Sequence, residues 1–173
     1  MATLAPDAVR ETFVTGLKNA HALEHQALNL MDRQIEHLAN YADVESQLRM
    51  HRGETERQIE RLETILSGLG ESPSTLKDVA MSFSGNMAAL AHVFAPDEIL
   101  KNSFANYAFE SFEVASYQAL VIMAEEGGFE EALPLLNETL REEQAMQQWV
   151  AKTLPVVVRK YLTLRATGET ASH

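Results

Sequence analysis

The sequence predicts an all-α protein, a bundle of four long helices. It contains only 8 Gly and 5 Pro in 173 residues, and these lie at a few points that leave long uninterrupted stretches between them. Within those stretches, apolar residues recur at spacings of three and four, which places them on one face of a helix. A chain of this length is expected to form a single domain, here residues 1–173, with one buried core.

The turn-forming residues set the predicted bounds of the helices. Four core helices are expected at about residues 7–38, 44–67, 97–126 and 131–153. Gly68 and Gly70 end the second helix, and the pair Gly127-Gly128 ends the third. Pro134 lies near the start of the fourth, where a missing N–H group matters least.

A connection of roughly 30 residues separates the second and third core helices. Because an up-down-up-down bundle needs no connection of that length, we expect a crossover along the bundle. The connection is expected to contain a helix at about 76–93. Pro155 is expected to end the fourth helix and to begin a separate terminal helix at about 156–166, followed by a frayed polar end.

Composition excludes several classes of function. The chain has 14 Lys plus Arg against 25 Asp plus Glu, a net charge of −11, so neither nucleic acid nor a membrane surface is an expected partner. A membrane-spanning apolar stretch and the features of a signal peptide are both missing, which predicts a cytoplasmic protein. The absence of Cys excludes thiolate metal sites and a cysteine nucleophile, leaving oxygen and imidazole as the strong metal ligands.

Glutamates interrupt the apolar faces of the predicted helices. They are Glu24 in the first helix, Glu54 beside the face of the second, Glu113 in the third and Glu143 in the fourth. The separation is 30 residues in each half of the chain, from Glu24 to Glu54 and from Glu113 to Glu143. Burying an unpaired carboxylate costs several kcal/mol, and four together repel one another. Since Lys and Arg are absent from these faces, two divalent cations are the expected compensation.

Other polar residues accompany these glutamates at helical spacing. Glu110, one turn before Glu113, is either a further ligand or a group that handles protons. His21 and His51 each lie one turn before a glutamate, as ligands, as partners of ligands or as neutral core histidines. Gln58 and Gln147 are expected to act more as hydrogen-bond partners than as ligands. The plainer interpretation is that the glutamates extend their carboxylates to solvent from the edge of the core.

The candidate ligands lie within four stretches of distinctive sequence. These are residues 19–26, 54–66, 109–117 and 140–144. Together they resemble the YciE/YciF family of ferritin-like bacterial proteins, and the YciE branch most closely. The resemblance implies a ferritin-like bundle. With the crossover and terminal helix expected above, the predicted fold is a ferritin-like four-helix bundle with a long helical crossover between the second and third helices and an extra C-terminal helix. The resemblance also implies a dinuclear carboxylate metal site, a bacterial stress setting and a homodimer.

The sequence departs from the wider ferritin-like pattern at one point. Di-iron members of that group carry Glu-x-x-His on their second and fourth helices, whereas Arg57 and Met146 stand at the histidine positions here. Water, Gln58, His51 or Glu110 would have to complete the coordination. Such an oxygen-rich set of ligands favours Fe or Mn over copper.

Three functions compete at this level. The first is a protein that binds two divalent ions, Fe more than Mn, with redox or peroxide and oxygen chemistry of an oxidoreductase at the open coordination positions. The second is a non-catalytic stress or interaction protein, in which the bundle is a scaffold and the carboxylates are protonated or bound to water. The third is an iron-storage subunit, which requires a closed shell of many copies.

Overall fold

The computed structural model describes residues 6–71 and 97–171. They form four helices, α1 (Pro6–Ile35), α2 (Ala42–Gly68), α3 (Glu98–Gly127) and α4 (Leu133–Thr167), and no strand occurs in these two segments. The predicted all-α, four-helix architecture is confirmed. The helix expected at about 76–93 lies outside the described residues. None of the described helices is both long enough and apolar enough to cross a membrane.

The four helices close into a bundle with two apolar clusters. α1 packs against α2 and α3, and α4 packs against the other sides of α3 and α2. One cluster is built around Phe13, Leu62 and Leu120, and the second around Met31, Leu48 and Val150. Every helix contributes to both clusters, so the segment of each helix between them is held at the middle of the bundle.

The prediction of a helix break at Pro155 is wrong. α4 runs through this residue without interruption to Thr167, so residues 156–166 continue the fourth helix instead of forming a separate one. Proline removes the hydrogen bond that would reach the carbonyl of Ala151. Because Ala151 and Pro155 are both exposed, water can bind that carbonyl. Buried Val157 then fixes the helix beyond the proline to the second apolar cluster.

The chain after α4 is tied to the turn between α1 and α2, where a frayed end was predicted. The Tyr41 hydroxyl donates a hydrogen bond to the Ala171 carbonyl at 2.7 Å. Asn40 Nδ2 donates to the Thr170 carbonyl at 2.8 Å. Ala171 is buried. The described end of the chain therefore packs on the bundle and caps one end of it.

Candidate metal centre

A layer of polar side chains fills the middle of the bundle, between the two apolar clusters. α1 supplies Glu24, α3 supplies Glu110 and Glu113, and α4 supplies Glu143. These four residues are only 1 to 6% exposed. α2 adds His51 and Gln58, which are equally buried. We call these six residues the carboxylate layer. Each lies where the apolar periodicity of its helix points inward, which is why all four helices converge on it.

Several carboxylate oxygens in this layer lack a partner. Glu24 Oε2, Glu143 Oε2 and both oxygens of Glu113 are buried and accept no hydrogen bond from the described residues. No Lys or Arg is buried in the described part of the chain. Buried polar atoms in folded proteins are almost always paired, so these oxygens indicate a layer suited to binding a cation or holding protons. The donor set fits divalent metal ions, which bind carboxylate oxygen and imidazole.

His51 connects the layer to the edge of the bundle. Its Nε2 lies 3.4 Å from Glu110 Oε2 and 3.8 Å from Glu143 Oε2. His51, Glu110 and Glu143 each offer one possible ligand atom, and these three atoms all lie within 4.8 Å of one another. The Nδ1 of His51 lies 3.0 Å from Glu54 Oε2. A carboxylate on the far nitrogen of a histidine is the usual way to orient a metal-binding ring. His51 thus supplies an imidazole one turn before Glu54, whereas the Glu-x-x-His pattern places its histidine one turn after that glutamate, at Arg57 here.

Gln58 is held by two acidic residues of α4. Its Nε2 donates hydrogen bonds to Glu143 Oε1 at 2.5 Å and to Glu142 Oε2 at 3.0 Å. Arg61 fixes Glu142 in turn, with distances of 2.6 and 3.0 Å from its two terminal nitrogens to the two carboxylate oxygens. The amide is therefore oriented, and its Oε1 is buried without a donor among the described residues. This oxygen is available as a neutral ligand.

Tyr117 pairs with Glu24 across the core. Its hydroxyl donates to Glu24 Oε1 at 2.5 Å, and the tyrosine is 1% exposed. Sequence reasoning gave this residue no role at the site. The signal was present, because Tyr117 follows Glu113 by four residues and so shares its face of α3. Thr55 was missed too, and it lies on the inner face of α2 with a buried hydroxyl that has no partner in the described segments.

Burial shifts the protonation of the layer strongly. Desolvation raises the pKa of Glu24 to about 8, although the Tyr117 hydrogen bond opposes it. Burial and the neighbouring acids hold the pKa of Glu113 and of Glu143 well above its usual range. For His51, burial lowers the pKa, but Glu110 and Glu54 outweigh it and the net shift is well upward. In all four groups the shift favours the protonated form.

The three remaining predicted residues, Glu54, His21 and Gln147, lie outside the layer. Glu54 contacts the outer nitrogen of His51, its side chain is 22% exposed, and the hydrogen bond to His51 lowers the pKa of Glu54. His21 Nε2 lies 3.2 Å from Glu63 Oε1. Gln147 Nε2 donates to Ser111 Oγ at 3.0 Å. The structure therefore brings together six of the nine predicted residues. Of the other three, Glu54 contacts the layer through His51, and His21 and Gln147 contact residues outside it.

A comparison with protein families identifies the chain's relatives. The family model described as "Domain of unknown function (DUF892)" matches residues 8–163. The chain belongs to the DUF892 family. This DUF892 chain is similar to the protein YciF of Escherichia coli strain K12, with 29% identity over 147 residues that cover 79% of this chain and 84% of YciF. The narrower assignment of this DUF892 member to the YciE branch stays a prediction.

Two solved structures share the fold of this DUF892 chain. A protein from Xanthomonas campestris pv. campestris matches with a TM-score of 0.77 and 25% identity, covering 92% of this chain and 99% of its own. The crystal structure of the Escherichia coli stress protein YciF matches with a TM-score of 0.69 and 22% identity, covering 88% and 98%. These matches support the four-helix bundle independently of the periodicity of the sequence.

Proposed function

We propose that this DUF892 protein binds two divalent metal ions, Fe in preference to Mn, in the carboxylate layer. The observation that carries the proposal is the convergence of four buried carboxylates with unpaired oxygens and no buried Lys or Arg among the described residues. Two divalent ions would neutralise four carboxylates. Carboxylate oxygens with a single imidazole favour Fe or Mn over Cu.

The ligands follow from burial and contacts. Glu24, Glu110, Glu113 and Glu143 supply carboxylates, and His51 supplies its Nε2. Gln58 Oε1 adds a neutral oxygen to this set, in which the Glu-x-x-His histidines are absent. Glu54, which the sequence predicts as a ligand, is in this proposal the residue that orients His51. Its carboxylate lies 3.0 Å from His51 Nδ1.

The residues around the layer suit redox chemistry at a site shielded from bulk water. Iron or manganese bound there supplies one-electron chemistry toward oxygen or peroxide. The two apolar clusters exclude bulk water from the layer. With Nε2 of His51 as a ligand, Nδ1 carries the ring proton and donates it to Glu54, whose partly exposed carboxylate joins the site to solvent. An oxidoreductase of the bacterial stress response is the function this arrangement supports best, in line with the description of YciF as a stress protein.

Metal content tests the proposal directly. Protein purified without chelators is analysed by elemental mass spectrometry beside Glu113→Gln, which keeps the side-chain volume and removes one ligand charge. The matched control is Glu126→Gln, an exposed glutamate on the same helix. We expect about two Fe or Mn per chain in the wild type and in Glu126→Gln, and a large loss in Glu113→Gln.

Thermal stability distinguishes metal binding from the competing function, that of a non-catalytic scaffold protein. A ligand that binds only the folded state raises the melting temperature by mass action. We expect anaerobic Fe(II) or Mn(II) to raise the melting temperature of the wild type and not that of Glu113→Gln. A wild type that is free of metal and is not stabilised by either ion would overturn the proposal and favour the scaffold protein.

A further inference from the structure

A second group of imidazole and carboxylate side chains lies on the α1–α2 side of the bundle. His21 and His25 are one turn apart on α1, and their ring centroids are 4.6 Å apart. Glu63 reaches them from α2, with its Oε1 3.2 Å from His21 Nε2. None of these three residues belongs to the carboxylate layer.

The contact with Glu63 determines which ring nitrogen of His21 carries the proton and which keeps a lone pair. An ionised carboxylate can only accept a hydrogen bond, so His21 Nε2 must carry the proton. In the neutral ring, Nδ1 is then left with a lone pair. The His21 side chain is 7% exposed, and its Nδ1 is buried without a hydrogen-bond partner among the described residues. A buried acceptor of this kind is uncommon in folded proteins and points to a ligand.

We propose that His21 and His25 bind one divalent ion of the Zn²⁺ type, with Glu63 orienting His21. Two imidazoles at i and i+4 on one helix face are a recurring metal-binding pair. The carboxylate on the opposite nitrogen of His21 is the outer partner that such histidines usually have. His25 is exposed, so its ring can turn toward His21 and solvent can complete the coordination. Nitrogen ligands favour Zn²⁺, Ni²⁺ or Cu²⁺ here, in contrast to the oxygen-rich layer.

Zn²⁺ titration of chelator-treated protein by isothermal calorimetry tests this site apart from the buried one. The variants are His25→Ala, which changes an exposed residue, and His37→Ala, the matched control on a half-exposed histidine beyond the end of α1. Glu113→Gln disables the carboxylate layer. We expect one Zn²⁺ equivalent to bind at least ten times more weakly in His25→Ala, and to be retained in His37→Ala and in Glu113→Gln.

The number of imidazole nitrogens that coordinate bound Cu²⁺ provides a second readout. Electron paramagnetic resonance at one equivalent of Cu²⁺ should show coupling to two imidazole nitrogens in the wild type and in Glu113→Gln, and to fewer in His25→Ala. Identical Zn²⁺ isotherms and Cu²⁺ spectra for His25→Ala and His37→Ala would overturn the proposal. Loss of this equivalent in Glu113→Gln would also overturn it, because the ion would then belong to the carboxylate layer.

Discussion

Glu24, a candidate ligand on α1, accepts a hydrogen bond from Tyr117 on α3. At 2.5 Å it is the shortest polar contact that α3 makes with a candidate ligand on another helix. Replacing Tyr117 with Phe removes the hydroxyl and leaves a fully buried carboxyl group with no donor among the described residues. We expect Tyr117→Phe to lower the free energy of unfolding by about 1–3 kcal/mol. Urea denaturation measures this against Tyr107→Phe, whose tyrosine is 44% exposed. Equal stabilities for the two variants would show that the contact contributes nothing.

The raised pKa values of the layer predict how the metal-free protein responds to pH. An acid whose pKa is 4.5 when unfolded and about 8 when folded, as for Glu24, loses its proton first in the unfolded chain. Stability therefore falls as pH rises between these values, and Glu113, Glu143 and His51 act in the same direction. We expect the free energy of unfolding, measured with a chelator present, to decrease from pH 5 to pH 8. A flat profile in the wild type would contradict these shifts.

At the level of helices, Arg61 links α2 to α4 beside the site. It binds both oxygens of Glu142, which also accepts a hydrogen bond from Gln58, so the clamp orients the amide. We expect Arg61→Ala to lower the free energy of unfolding by about 1–2 kcal/mol and to weaken Mn²⁺ binding several-fold. Arg57→Ala, on an exposed position of the same helix, is the control. Mn²⁺ affinity that is equal in the two variants would show that the clamp does not act on the site.

The starts of all four helices and the ends of the first three were predictable to within a few residues, because periodicity and glycine act locally. Gly128 ends α3 in the left-handed conformation with φ of 70°, as the glycine pair predicted. The continuity of α4 through Pro155 was not predictable, because it depends on which side of the helix tertiary packing leaves to solvent. The placement of Glu54 has a different cause, an i,i+3 contact within α2. Glu54 lies at the edge of the inner face of α2, and its contact with His51, instead of periodicity, decides where its carboxylate lies.

For the whole molecule, the surface of α3 bears on the predicted homodimer. Phe104 and Ile122 are 54% and 58% exposed, and their 18-residue separation is five helical turns, which puts them on one line. Tyr107 and Phe112 lie on either side of that line, 44% and 47% exposed. Apolar residues thus cover both the inner and the outer faces of α3. Exposed apolar patches of this extent are typical of interaction surfaces, and two-fold assemblies are the commonest.

We therefore expect the protein to be a dimer that α3 holds together. Light scattering should give twice the 19.2 kDa mass of one chain. The double variant Phe104→Glu, Ile122→Glu should be a monomer, because it places two charges in a surface that must lose its water on association. Met50→Glu, on α2 at 54% exposure, should remain a dimer and is the control for adding charge to an apolar surface. If the double variant keeps the wild-type mass, the contact between chains lies elsewhere. Since the carboxylate layer draws its ligands from one chain, metal content should stay the same in the monomeric variant, and its loss would show that the assembly supports the site.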